Sequence, residues 1–438
     1  MRVLANLDKG EAYKIKKGEQ VIIADTGNLN SLYLENLTDA DEIFKKSISL
    51  GYVDHHVADT LPLIQEKEIK CCSTQIVANF YEDVLEYINK NNVKEIYIHK
   101  DTDLDAICSG WMIKYLGENQ KLPEIAKEMA PIVNKVDYAI YRTENPENYA
   151  YSFPGCMRGI MNSIKFENFN DLKNNPLYAN TRGIINDLGK RIAEEKTNNE
   201  IIKLLDIIEN EKQINPEFDI NMPNFNEFIE NNNQISSYVK SHLTLGINRF
   251  LKDQDEFNES VENASIINFQ CYNPITKEKT TEKIMLLKSN SPLKTTNVAY
   301  NTYQDRIIAA YNPLKNWFAI GIAAESLKKF RPTMKQLCIK LNHIEENKRK
   351  QLYDKPFKTS EEIEIIHKIE SYKPVEAFNG ADKLKLINKA PVPLVGGGAL
   401  IVQSHCGLID SFDEFKNILQ DFAKKTNSFN CSKDKYFE

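Results

Sequence analysis

VKEIYIHKDTDLDA (93–106) decides how this chain is read. Val93 to His99 is a largely apolar run of strand length. It ends abruptly in a polar burst: His99, Asp101, Asp103 and Asp105 place one imidazole and three carboxylates within seven positions. CSGWMIKYLG (108–117) then resumes an apolar, helix-like pattern, with Gly117 as the expected C-cap. A buried strand that empties into a polar loop and then a helix is the unit of a parallel α/β sheet.

The same design appears twice upstream. VIIADTGN (21–28) is an apolar run ending at Asp25, and Tyr52-Val53 leads directly into Asp54-His55-His56. Between them, Asp39 to Leu50 carries helical spacing through Ile43, Phe44, Ile48 and Leu50. STQIVANFYEDVLEYINKNN (73–92) reads as one helix, with Ser73 or Thr74 as N-cap and Ile76, Val77, Phe80, Val84, Leu85 and Ile88 facing inward. Ligands of such sheets gather at the carboxyl ends of strands, where all three polar bursts fall.

The remainder of the 438 residues suggests further domains. Residues 1–180 read as the α/β domain and 181–255 as polar helices, a connector or a cover over the first domain. From 256 to 438 the pattern becomes a smaller α+β lobe, with a meander of short strands followed by a helix, SFDEFKNILQDFAKK (411–425). Hydrophobic residues make up 42% and charged residues 27%, which excludes collagen-like, disordered and membrane classes. No apolar run reaches the roughly 20 residues of a bilayer span, and the opening stretch has no secretory apolar core. The eight cysteines follow no framework spacing and form no CxxC pair, which points to reduced thiols in a cytoplasm. A net charge of −6 argues against broad binding to duplex DNA but leaves a local basic cleft open.

Three of the seven histidines fall in two of the strand-end bursts. An Asp-rich loop after a strand is also what a solvated turn or helix cap looks like. Taken together, however, the bursts would crowd carboxylates that cannot share one crevice without a cation. Oxygen and imidazole donors without thiolate suit Mn²⁺ best, with Mg²⁺, Fe²⁺ or Co²⁺ as competitors. Asp103 and Asp105 would face different ions, and Asp25 has two oxygens with which to bridge them. Such a pair activates water and holds both sides of a displacement at phosphorus.

YVDHHVADT (52–60) resembles the signature of the DHH phosphoesterase superfamily, with Asp54-His55-His56 as the triplet. IYIHKDTDLDAICSG (96–110) is similar to that family's first motif, VIIADTGN (21–28) to its second, and CCSTQIVANFYEDVLEY (71–87) to the helix that follows the triplet. The order differs, since the first motif here comes last; a circular permutation of the lobe accounts for this. Thr102 stands in place of the usual Pro. The resemblance implies His99 and Asp103 on one metal, Asp105 and His55 on the other, Asp25 bridging and Asp137 completing the second set. It implies that His56 reaches a phosphate oxygen and that Asp54 orients a histidine.

PLVGGGALIVQSHCG (393–407) resembles the glycine-rich motif of the DHH-associated domain, although Ala399 replaces its His. Gly396, Gly397 and Gly398 form either a cradle for substrate phosphate or a tight turn before a strand. Arg306, Lys329, Arg331 and Lys335 are candidate cleft cations, although solvated surface is the better reading for any one of them. The expectation is therefore a two-metal, Mn²⁺-dependent phosphoesterase acting on short oligonucleotides or cyclic dinucleotides. A pyrophosphatase-like hydrolase and a non-catalytic nucleotide sensor are the alternatives, and a homo-oligomer stays open.

Overall fold

A computed structural model describes the chain except residues 8–13, 27–33, 35–36, 38, 56–70, 101, 139, 174–183, 273–277, 290–304, 314–316, 323–326, 372–393, 397–399, 405–410 and 429–438. The fold is mixed α/β, with one entirely parallel sheet and one mixed sheet. The chain divides into two compact units, Met1–Leu251 and Lys252–Glu438.

The parallel sheet belongs to the first unit. Its strands are β1 (Arg2–Leu7), β2 (Val21–Ala24), β3 (Tyr52–Val53) and β4 (Glu95–His99), in the spatial order β1-β4-β2-β3. Val21 to Ala24 are all buried, as both-face coverage of a parallel sheet requires. β2 lies between β4 and β3, so the residue that ends β2 sits between the residues that end the other two. β1 was not anticipated from the sequence: RVLANL is short and carries no polar burst, and only its pairing with β4 defines it.

Helix α1 (Ala40–Ser49) starts where Asp39 accepts the backbone N–H groups of Asp41 and Glu42. The helix expected over 73–92 is instead two, α2 (Ser73–Asn79) and α3 (Tyr81–Asn91), broken at Phe80, whose ψ of 33° leaves the helical region. Ser73 and Thr74 lie inside α2, and Cys72 occupies the cap position without a side-chain bond. Helix α4 (Leu104–Asn119) begins earlier than expected because Asp103 caps it, accepting from the Ala106 N–H at 3.0 Å. It runs past Gly117 and stops at Gln120 in the left-handed conformation. Here Gly117 serves packing, since a Cβ would collide with the Met1 sulfur. Helix α5 (Ala126–Asp137) ends on Asp137.

Helices α6 (Phe153–Lys173), α7 (Ile184–Ile214), α8 (Phe225–Asn231) and most of α9 (Ser237–Glu262) fall in the same unit. They bury Phe153, Ile160, Leu204, Leu205, Ile208, Phe225 and Leu243 in one core with the sheet and α4. Gly159 and Gly246 let α6 and α9 approach closely, because a Cβ on Gly246 would meet Gly159 backbone at 2.5 Å.

The second unit is built on β5 (Ser265–Tyr272), β6 (Lys279–Lys288), β7 (Ile307–Asn312), β8 (Trp317–Ile322), β9 (Leu394–Gly396) and β10 (Leu400–Ser404), ordered β5-β6-β7-β8-β10-β9. The simple meander expected here is interrupted, because β6 and β7 run parallel. Residues 256–262, read as its start, belong to helix α9. Alternate strand residues such as Ile284, Leu286, Ile307 and Ala309 pack with Phe330 and Leu337 of α10 (Leu327–Asp354) and Phe415 and Leu419 of α12 (Phe412–Ser428). Helix α11 (Ser360–Ser371) lies between those two in sequence. No helix among the described residues is long and apolar enough to cross a membrane.

Candidate metal centre

The parallel sheet delivers three chain segments to one edge. Asp25 follows β2, Asp54 and His55 follow β3, and His99 ends β4. Asp103 and Asp105 come from the start of α4, and Asp137 from the end of α5. Asp25, Asp54, His55, His99 and Asp105 are all buried.

Asp25 faces both histidines. Its Oδ1 lies 3.6 Å from His55 Nδ1, and its Oδ2 lies 3.4 Å from His99 Nε2. Asp105 Oδ2 stands 3.7 Å from the same His55 nitrogen, while Asp103 Oδ2 stands 3.4 Å from His99 Nε2. Two groups result, Asp25–His55–Asp105 and Asp25–His99–Asp103, whose donor atoms lie within 4.8 Å of one another in each. Either group could hold a metal ion. Asp25 supplies one oxygen to each.

The donor set passes a test of fit. His99 is 1% exposed, yet neither ring nitrogen has a hydrogen-bond partner. Nε2 instead points between two carboxylates, where a cation satisfies what hydrogen bonds do not. Burial works against charge on the His99 ring, but Asp103 and Asp25 outweigh it and hold its pKa at about 9. Burial and the nearby Asp25 raise the Asp105 carboxyl above its ordinary range. Burial raises Asp137 to about 8, with His55 opposing the rise. All three shifts share one origin, carboxylates and imidazole crowded together away from water.

The backbone keeps these groups in place. Asp25 adopts a left-handed conformation, φ 50°, which Asp tolerates better than most residues. Its N–H bonds to Val53 O at 3.1 Å, tying the end of β2 to β3. Asp54 Oδ2 accepts the next amide, Thr26 N–H, at 2.9 Å. Asp105 accepts the N–H groups of Ser73 and Thr74 at 2.8 Å each, and so caps α2 from another segment. Asp137 Oδ2 approaches the far nitrogen of His55, Nε2, at 3.4 Å, and its oxygens belong to neither donor group.

The structure brings Asp25, Asp54, His55, His99, Asp103, Asp105 and Asp137 to one place. In the second unit, Gly396 ends β9, Arg306 pairs with Asp305 at 2.8 Å and Lys329 pairs with Glu282 at 2.6 Å. His56, Asp101, Gly397, Gly398, Ala399 and His405 lie outside the described residues, as do the side chains of Arg331 and Lys335.

Several contributors escape sequence reasoning. Ser73 Oγ lies 3.3 Å from both Asp25 Oδ1 and His55 Nδ1. Asn134 Oδ1 accepts the Cys72 N–H at 2.7 Å. Lys165 of α6 donates to the Thr102 carbonyl and lies 3.0 Å from Glu194, and Asn198 Nδ2 reaches Thr102 Oγ1 at 3.4 Å. Only the Ser at the head of a helix after DHH carries any signal in sequence; the others come from distant helices.

A second constellation is structural. Ser163 Oγ lies 2.9 Å from His242 Nδ1, and His242 Nε2 lies 3.1 Å from Glu167. Ser163 is buried in the middle of α6, where backbone N–H groups are committed to the helix and offer no oxyanion site. The trio pins α6 to α9.

Comparison with protein-family models, with curated proteins and with solved structures gives no match for this chain.

Proposed function

We propose that this protein is a metal-dependent phosphoesterase of the DHH type, with its motifs in permuted order and two divalent ions, Mn²⁺ first, in its α/β unit. Mg²⁺ and Co²⁺ are the competing ions. The observation that carries the reading is Asp25, one oxygen toward His55 and the other toward His99. A solvated turn has no reason to bury a carboxylate between two imidazoles.

When bound, such a pair supplies Lewis acidity toward water and phosphate oxygens. The chain's own groups do the rest. Asp105 is oriented by two backbone N–H groups, which leaves its position independent of side-chain rotation. Asp137 meets the far nitrogen of His55, Nε2, at 3.4 Å and so orients the ring that presents Nδ1 toward Asp25 and Asp105. Asp103 is spared the same burial and stays at the open side, where substrate enters. A short oligonucleotide or cyclic dinucleotide is the proposed substrate class.

The test is hydrolysis of bis(p-nitrophenyl) phosphate and of a linear adenine dinucleotide with added Mn²⁺. Wild type turns over at least one, chelation abolishes turnover, and Asp25→Asn removes it while circular dichroism stays the same. Asn is the better variant because it keeps tolerance of the left-handed backbone. Undiminished turnover in Asp25→Asn overturns the assignment.

A further inference from the structure

The turn after Asp137 leads away from the centre along a row of rings. Tyr138 packs on His55 with ring centroids 6.0 Å apart. The N–H groups of Ile140 and Tyr141 both donate to Lys135 O, at 2.7 and 2.9 Å, and this folds the turn back on α5. Tyr141 then meets Tyr149 edge-on at 6.0 Å, and Tyr149 meets Phe250 of α9 at 5.4 Å and 31°. All four rings are only half-buried.

Arg158 meets this row at Tyr149. Its Nη1 donates to the Tyr149 hydroxyl at 3.4 Å, and the side chain is exposed to solvent. No carboxylate among the described residues forms an ion pair with it. The protein around the side chain opposes its charge, while Tyr149, Asp103 and Asp137 favour it.

A cation at a tyrosine hydroxyl, on a row of half-buried rings that starts against His55, matches one chemistry. Planar guanidinium groups engage phosphate oxygens, and nucleobases stack on tyrosine in a way that tolerates any base. A small inorganic phosphate needs the cation but has no use for the rings. We infer that Arg158 and Tyr149 form the nucleotide subsite of this centre: Arg158 contacts a phosphate oxygen of the substrate, and the Tyr141–Tyr149 edge receives the adjoining base. The inference rests on the phosphoesterase reading above and names the residues that hold its nucleotide substrate.

The experiment titrates a phosphorothioate-linked adenine dinucleotide into the full chain with Mn²⁺ present, for wild type, Arg158→Gln and Tyr149→Leu. Arg158→Gln weakens binding about tenfold and flattens its dependence on salt. Tyr149→Leu weakens it about fivefold or more. Mn²⁺ affinity, read by electron paramagnetic resonance, stays at the wild-type value in both variants. Unchanged dinucleotide affinity in Arg158→Gln overturns the inference. So does a wild type that hydrolyses bis(p-nitrophenyl) phosphate yet does not bind the dinucleotide, an outcome that leaves the phosphoesterase reading intact. Conversely, Arg158-dependent binding without turnover of any phosphodiester supports the subsite and removes the hydrolase.

Discussion

The Asp105 carboxylate accepts two backbone N–H groups of another segment, those of Ser73 and Thr74, each at 2.8 Å. A single side chain therefore starts helix α2 and offers an oxygen to His55 and its metal group. Structure and chemistry share this residue.

Replacing it separates the two roles. Asp105→Ala strands two buried N–H donors at residues that are themselves fully buried, each costing about 1–3 kcal/mol. Asp105→Asn keeps one acceptor and removes the repulsion from Asp25, so its loss of stability is the smaller. Urea midpoints in chelator should rank wild type and Asn above Ala, and calorimetric titration should find Mn²⁺ binding lost in both variants. Equal urea midpoints for Ala and Asn would remove the capping role.

The metal-free protein should lose stability as pH rises. The His99 pKa of about 9 exceeds its ordinary value, so its contribution is complete below about 6.5 and lost as pH passes through 9. Asp137, raised to about 8, acts with the same sign, because the folded state holds the proton more tightly than the unfolded chain from about pH 4 upward. Melting temperatures in chelator fall between pH 6 and 9, and saturating Mn²⁺ removes most of that slope. At pH 7.5, Mn²⁺ binding releases roughly one to two protons, read from titration heats in buffers of different ionisation enthalpy.

Lys165 should act on the metal through Thr102. Its ammonium bonds the Thr102 carbonyl in the loop between His99 and Asp103, and balances the buried Glu194. Lys165→Met lowers both stability and Mn²⁺ affinity, the latter by about tenfold. Adding Glu194→Gln restores part of the stability by removing the charge of a buried carboxylate that has lost its Lys165 partner. It leaves affinity low. Recovery of both together would show that Lys165 serves folding alone.

The buried thiols should be inert. Burial pushes Cys71 up to about 12 and raises Cys72, Cys108 and Cys156 well above the usual thiol range. Iodoacetamide at pH 8 should leave these four unmodified in the folded protein and alkylate them in urea, with peptide mass mapping as the readout. Rapid labelling of Cys72 in the native state would contradict its burial.

The parts legible in sequence were those with local signatures. VIIAD, YVDHH and EIYIH each show an apolar strand meeting an acidic or imidazole donor, so β2, β3, β4 and most of the donor set follow from pattern alone. What escaped depends on distant partners. The break at Phe80 interrupts a continuous helical periodicity, and β1 is a strand only by virtue of β4. Gly117 looked like a stop because glycine usually ends helices, yet here it lies inside α4 with the Met1 sulfur where a Cβ would be. Lys165, Asn134 and Arg158 lie in unremarkable helical sequence, and only folding brings them near the acidic loops.

The central place of β2 has a last implication. Because β4 and β3 flank it, the pocket is assembled by neighbourhood across the sheet and is indifferent to succession along the polypeptide. A chain that began with β4 and reached β2 later would build the same two donor groups. Pattern searches that demand a fixed sequence of signatures pass over such molecules, whereas a search for three strand ends converging on one shared carboxylate would retrieve them.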